Sequence, residues 1–285
     1  MMNLPARIIT AALLTATLAP VCLLGAALLP ADSMAQSGQQ GAAAGVQDQP
    51  PSETVYDLPI SGRQQRILYV HPRSPRGTIV MLPGGSGDTE IDEDGDFAHG
   101  KNFVVRTRHL WRAHGYAVII PDAVDGRNMR GLRSTPEYAK IIQELVRFAH
   151  TKASGPVFLL GTSQGSVAAM NGAAHLTRSE LAGVILTESV SRRSRSGETV
   201  FDAGPDQVTV PALVVSNHDS ACRAAPPDDA PRIAAAMTRA PEVKVIYVQG
   251  GVTRSWECGS ESPHGYFGIE NAVVDRIVAW LDAQM

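Results

Sequence analysis

Residues 159–170 read LLGTSQGSVAAM, and the order of apolar, small and hydroxyl residues in them decides the fold. Ser163 sits between Gly161 and Gly165, directly after an apolar run and directly before a run of small residues. G-x-S-x-G at a strand-to-helix junction predicts a tight turn that lifts a hydroxyl above a sheet. The helix N-terminus beneath it favours developing negative charge. Small residues on either side let the backbone pack closely at such a turn. By itself the pattern also fits an ordinary turn serine, so the rest of the chain must decide.

Outward from this stretch, short β-branched runs alternate with helical patterns. RILYV (66–70), GTIVML (77–82), YAVIIP (116–121), PVFLLG (156–161), AGVILT (182–187), PALVVS (211–216) and VKVIYV (243–248) have strand length. Most are continuously apolar, which suits strands buried on both faces. Helical patterns cover about 101–114, 136–152, 164–177, 229–239 and 266–283. This alternation predicts an α/β fold, a mostly parallel sheet with helices on both faces and right-handed crossovers. Ligands then belong at the carboxyl ends of the strands.

A serine hydroxyl is a poor nucleophile without a base, so a carboxylate and a histidine should follow it in the chain. Asp219 lies just past the strand PALVVS, and His264 lies in SPHGYFG between the strand VKVIYV and the last helix. Ser163, Asp219 and His264 are therefore the expected nucleophile, acid and base, in the order Ser-Asp-His. Glu188, at the end of AGVILT, is a rival acid, and His218 a rival base with little room to reach Ser163. Stabilising an oxyanion needs two donors: the backbone N–H of Gln164, and one from the loop PGGSGD (83–88), where Gly85 is preferred over Ser86. Each residue also has a plain structural reading, as turn serine, turn aspartate, loop histidine or glycine turn.

At these residues the chain resembles the α/β-hydrolase family, over about 55–283, and within it a group of exported bacterial hydrolases. PGGSGD, GTSQG (161–165), Asp219 and His264 carry the resemblance. It implies the α/β-hydrolase fold and a serine hydrolase acting on an ester, thioester or amide without a cofactor or metal. Pro83 stands where many esterases of the family have histidine. The expected activity is carboxylesterase. A peptidase or amidase on the same triad and a non-catalytic binding domain are the alternatives, and the expected partner is a small-molecule ester.

The remaining features set the context. The 285 residues, 44% hydrophobic with a net charge of −3, suit one sizeable domain and provide no field for nucleic acid or a membrane surface. Arg7 precedes a long apolar region that ends in Ser33-Met34-Ala35, which reads as a signal peptide over 1–35 and a periplasmic or secreted protein. An uncleaved anchor is the competing reading. Residues 36–52 read as a flexible polar tether, and 53–285 as the α/β-hydrolase domain. In an exported chain Cys222 and Cys258 are expected to pair, which would tie the loops carrying Asp219 and His264 together. The acidic run 88–96 (DTEIDEDGD) has a calcium-loop-like spacing but lacks the closing glutamate, so a solvated loop is expected. Arg127, Arg130 and Arg133 after one strand, and Arg192, Arg193 and Arg195 after another, are placed on the rim of the site, with Trp256 either walling the pocket or packing against its loop. The segment 188–210 is short for a cap domain, which predicts an open cleft.

Overall fold

The structure is a computed structural model that describes residues 52–285. The signal-peptide expectation for 1–35 and all but the last residue of the expected tether lie outside the described residues. Eight strands form one sheet: β1 (Ser52–Ile60), β2 (Arg63–His71), β3 (Gly77–Leu82), β4 (Tyr116–Pro121), β5 (Val157–Thr162), β6 (Gly183–Thr187), β7 (Ala212–Asn217) and β8 (Val243–Val248). Their spatial order is β1-β2-β4-β3-β5-β6-β7-β8. β1 and β2 run antiparallel to their neighbours, and β3 through β8 are parallel to one another.

Among the described residues six α-helices flank the sheet: α1 (Phe103–Arg106), α2 (Arg108–Ala113), α3 (Pro136–Lys152), α4 (Gln164–His175), α5 (Ala230–Ala236) and α6 (Glu270–Asp282). Side-chain alternation along the strands divides the core in two. Val80, Leu82, Leu159, Leu186 and Val214 face α3, α4 and α5. Ile79, Met81, Leu160, Ile185 and Val215 face α1, α2 and α6. The central strands β3 to β7 are buried along their whole length, which is why they read as continuous apolar runs. Each large aliphatic side chain so buried contributes about 1.5–3 kcal/mol.

Local chemistry sets the element ends. Thr135 caps α3 by accepting from the Tyr138 amide, and Pro136 opens the helix. The expected helix over 101–114 is split at Thr107. The Thr107 hydroxyl donates to the Phe103 carbonyl at 2.6 Å and accepts from Trp111 Nε1 at 3.1 Å. α6 starts later than expected because Tyr266 and Gly268 have φ of +56° and +88°, which no helix accommodates. β1 is an addition to the expected elements, and Ser52, assigned to the tether, is its first residue. It pairs with β2 through a two-residue Ser61-Gly62 turn in which both residues have positive φ. Among the described residues, 188–210 holds only two short 3₁₀ turns, Val200–Ala203 and Pro205–Gln207, and no cap domain.

Candidate active site

Ser163 stands between β5 and α4 at φ +52° and ψ −121°. A non-glycine residue holds that backbone only where its surroundings enforce it. Here the Ser163 amide donates to the Thr187 carbonyl at 3.0 Å. Its own carbonyl accepts from the Ser166 amide at 2.9 Å and the Ser166 hydroxyl at 2.6 Å. The two glycines of the motif are there because nothing larger fits. A Cβ at Gly161 would overlap the Gly165 carbonyl, and one at Gly165 would overlap the Leu82 carbonyl. Gly165→Ala is accordingly expected to cost about 1–3 kcal/mol or more, since the overlapped atoms are backbone. A thermal melt indistinguishable from the parent would contradict this packing.

His264 lies in a 3₁₀ turn (Pro263–Gly265) after β8, and its ring is 3% exposed. Its Nε2 is 2.9 Å from Ser163 Oγ. Its Nδ1 is 3.2 Å from Glu188 Oε2, and Glu188 is 1% exposed. With the ring proton on Nδ1 donated to Glu188, Nε2 is left as the acceptor for the serine hydroxyl. Glu188 leaves β6 at φ +46°, with its amide on the Val215 carbonyl at 3.0 Å and its Oε1 accepting from the Asn217 amide at 2.5 Å. The carboxylate is thus desolvated but hydrogen-bonded at both oxygens, as a buried charge must be.

The expected partnership of His264 with Asp219 is corrected by this geometry. Asp219 is exposed, and its Oδ2 accepts from the Gly250 amide at 2.8 Å, closing a turn between the β7 and β8 loops. Its own amide is held by Asn217 Oδ1 at 3.0 Å, which turns the residue outward. His218 is also exposed and stacks on Tyr247, with ring centroids 4.3 Å apart, so it takes no part in the cluster. Asn217 is the residue that sequence reasoning missed. Its buried side chain donates to the carbonyls of Gly250 (2.8 Å) and Pro263 (2.9 Å), while its amide holds Glu188. It joins Glu188 to the chain segment immediately before His264. Only its adjacency to a strand end in SNHDSAC hinted at this. Below the histidine, buried Tyr266 donates to the Val215 carbonyl at 3.0 Å. Burial, and then the neighbouring Glu188 charge, push its phenol well above the ordinary value, so it stays a neutral donor.

The loop after β3 lies against the elbow. A Cβ on Gly84 would sit 3.0 Å from Ser163 Cβ, so glycine is needed for the approach. The carbonyls of Pro83, Gly84, Gly85 and Ser86 are engaged. Arg133 donates to Gly85 O (3.1 Å) and Pro83 O (3.3 Å), the Gly87 amide to Gly84 O (3.2 Å), and the Met129 amide to Ser86 O (2.8 Å). In a trans peptide the N–H points opposite to the C=O, so the amides of Gly84, Gly85 and Ser86 face away from these partners. Gln164 opens α4, and its amide is among the first-turn donors without a helical acceptor.

The arginines separate into different roles, which corrects their common placement on the rim. Arg133 is 1% exposed and is a strut for the loop after β3; burial lowers its pKa. Arg192 pairs with Asp229 at 3.1 Å and Arg193 with Asp202 at 2.6 Å. Arg127 lines a different cavity, with Met129 and Ile141. Arg130 alone of the six lines the cavity that contains Ser163.

That cavity is about 460 Å³ and is bounded by Gly84, Gly85, Ser86, Phe103, Ser163, Trp256 and His264, among others. Trp256 is 70% exposed and forms an outer wall. Cys258, on the same stretch, is disulfide-bonded to Cys222 with a Cα separation of 4.7 Å. The bond ties the loops after β7 and β8, neighbours at one sheet edge. It anchors the segment that leads into His264 and does not bring an acid to it. Closing a loop of 36 residues corresponds to about 4 kcal/mol of chain entropy. A reductant is therefore expected to lower Tm markedly, and thiol titration of the denatured, unreduced chain lacking residues 1–35 is expected to find no free thiol. Two titratable thiols would contradict the bond.

The acidic run folds as an exposed turn in which Asp92 Oδ1 accepts the amides of Asp94 (3.0 Å) and Asp96 (2.8 Å). Among the described residues, Asp88, Glu90 and His99 bring ligand-type atoms within 4.8 Å of one another, and they are the groups that could hold a cation.

The sequence matches no protein-family model and no curated protein. Solved structures do resemble it. A cold-adapted esterase from an Arctic intertidal metagenomic library superposes with a TM-score of 0.57 at 14% identity, covering 88% of this chain and 100% of that one. A dienelactone hydrolase from Anabaena variabilis gives 0.57 at 12% identity, covering 82% and 99%. An alpha-beta serine hydrolase homologue from Coxiella burnetii gives 0.56 at 13% identity, covering 82% and 98%. The sheet order and helix placement described above are thus those of a known architecture, the α/β-hydrolase fold.

Proposed function

We propose that this α/β-hydrolase-fold protein is an exported serine hydrolase that cleaves carboxylic esters, with Ser163 as nucleophile, His264 as base and Glu188 as the orienting acid. The observation that carries the reading is the pair of hydrogen bonds converging on one buried histidine. Ser163 Oγ, on a strained turn, lies 2.9 Å from one ring nitrogen, and Glu188 lies 3.2 Å from the other. A structural serine needs neither the strain nor a buried histidine–carboxylate pair.

In this reading Ser163 Oγ attacks the ester carbonyl as His264 Nε2 takes its proton. Glu188 fixes the tautomer of the neutral imidazole and stabilises the imidazolium that forms. The negative charge on the former carbonyl oxygen is met by the Gln164 amide and by an amide of the loop after β3, with Gly85 preferred and Ser86 second. The imidazolium returns its proton to the leaving alcohol, and an acyl-enzyme remains. Water, deprotonated by His264, adds to the acyl carbon, the tetrahedral intermediate collapses, and the carboxylic acid leaves with Ser163 regenerated. Thioesters share this chemistry.

That the resembling structures include an esterase and a dienelactone hydrolase supports ester cleavage over peptide cleavage. Export rests on the apolar leader at 1–35, and the Cys222–Cys258 bond supports it, since such bonds persist in oxidising compartments. The test is hydrolysis of p-nitrophenyl acetate beside peptide p-nitroanilides. Ester turnover with a pre-steady-state burst of one nitrophenol per chain is expected, and anilide turnover at a comparable rate would move the assignment to a peptidase.

A further inference from the structure

Arg130 is an exposed cation lining the Ser163 cavity. Its loop is rigidly built. The Met129 amide donates to Ser86 O, the Gly131 amide to Glu198 Oε1 at 2.8 Å, and the Ser134 amide and hydroxyl to Glu198 Oε2 at 3.0 Å each. Asn128 Oδ1 accepts the Arg130 amide itself at 3.0 Å. The guanidinium reaches the loop after β3: a Cβ on Gly85 would lie 3.6 Å from Arg130 Nη2. Among the described residues the side chain forms no ion pair, unlike Arg192 and Arg193. Lys101, Asp88 and His99 also line the cavity. Lys101 is paired with Glu261 at 2.7 Å, and Asp88 clusters with Glu90 and His99.

We propose that Arg130 recognises a carboxylate on the substrate, so that the preferred esters are half-esters of short dicarboxylic acids or esters otherwise carrying an anionic group. The proposal rests on the serine hydrolase reading and names its substrate class. A guanidinium presents paired donors in the geometry of a carboxylate, and a planar fork placed beside the loop that meets the ester carbonyl would orient that carbonyl over Ser163. An exposed cation is screened by salt, so the preference must weaken as ionic strength rises.

The experiment compares monomethyl glutarate and monomethyl succinate with methyl butyrate, measured as kcat/KM at low and high salt. The parent enzyme is expected to favour the half-esters by about tenfold or more, the scale of a charge-assisted hydrogen bond. In Arg130→Gln the loss for the half-esters should far exceed that for methyl butyrate, and the salt dependence should disappear. Arg127→Gln, on the neighbouring cavity, should leave the preference as it was. Equal rates on anionic and neutral esters in the parent, or an undiminished preference in Arg130→Gln, overturns the role of Arg130 while leaving the hydrolase reading intact. Absence of turnover on all three esters overturns the reading beneath it.

Discussion

Ser163→Ala is expected to reduce kcat for ester hydrolysis by about 10⁴-fold or more, the scale seen when a triad nucleophile is removed. The melting temperature should change little. Alanine occupies the same left-handed backbone, and the substitution removes a hydroxyl whose partner is the His264 ring. The elbow's own packing, which depends on Gly161, Gly165 and the Thr187 carbonyl, is untouched. Steady-state kinetics with a thermal melt on the same preparation separates the two effects. A variant that keeps most of its turnover would place the nucleophile elsewhere.

The second large effect distinguishes two carboxylates. Glu188→Gln should lower kcat by about 10³–10⁴-fold, because an amide facing Nδ1 permits the wrong tautomer and cannot stabilise the imidazolium. Glutamine keeps the volume, so folding should survive. Asp219→Asn should cost less than about tenfold. That side chain is exposed and accepts a single amide hydrogen bond from Gly250, worth about 0.5–1.5 kcal/mol. Equal losses, or the reverse order, would reinstate Asp219 as the acid.

These two carboxylates also mark where the sequence stopped being informative. Both follow a strand, and both satisfy the order serine, acid, histidine, so chain order could not choose between them. What separates them in the structure is burial and backbone direction. Glu188 turns inward at φ +46° and is 1% exposed, whereas Asp219 is turned out by the Asn217 side chain. Neither property has a signature in one sequence. Arg133 shows the same limit. An arginine in a loop is usually solvated, and only the folded chain shows this one buried on the carbonyls of Pro83 and Gly85.

The strands from β2 to β8 were legible for the opposite reason. β3 to β7 are sheathed by helices on both faces, and continuous runs of Val, Ile and Leu have few other uses. β1 was not, since SETVYDLPI is a half-exposed edge strand, contains Pro59, and gains its structure from pairing with β2. The Ser61-Gly62 pair that makes its hairpin was the available signal. The approach of Ser163 and His264 to 2.9 Å was legible because a strand–serine–helix junction and a histidine after the last strand are topological facts. The arrangement of small residues around Ser163 follows from how little space the turn leaves.

The central claim is that Ser163 is a nucleophile activated by His264. It is tested most directly by treating the native protein with a fluorophosphonate and locating the adduct by peptide mass spectrometry. A single adduct on Ser163 is expected in the parent chain, with labelling slowed by orders of magnitude in His264→Ala and Glu188→Gln and nearly unchanged in Asp219→Asn. No adduct, an adduct on another serine, or labelling of Ser163 at the same rate without His264 would contradict it.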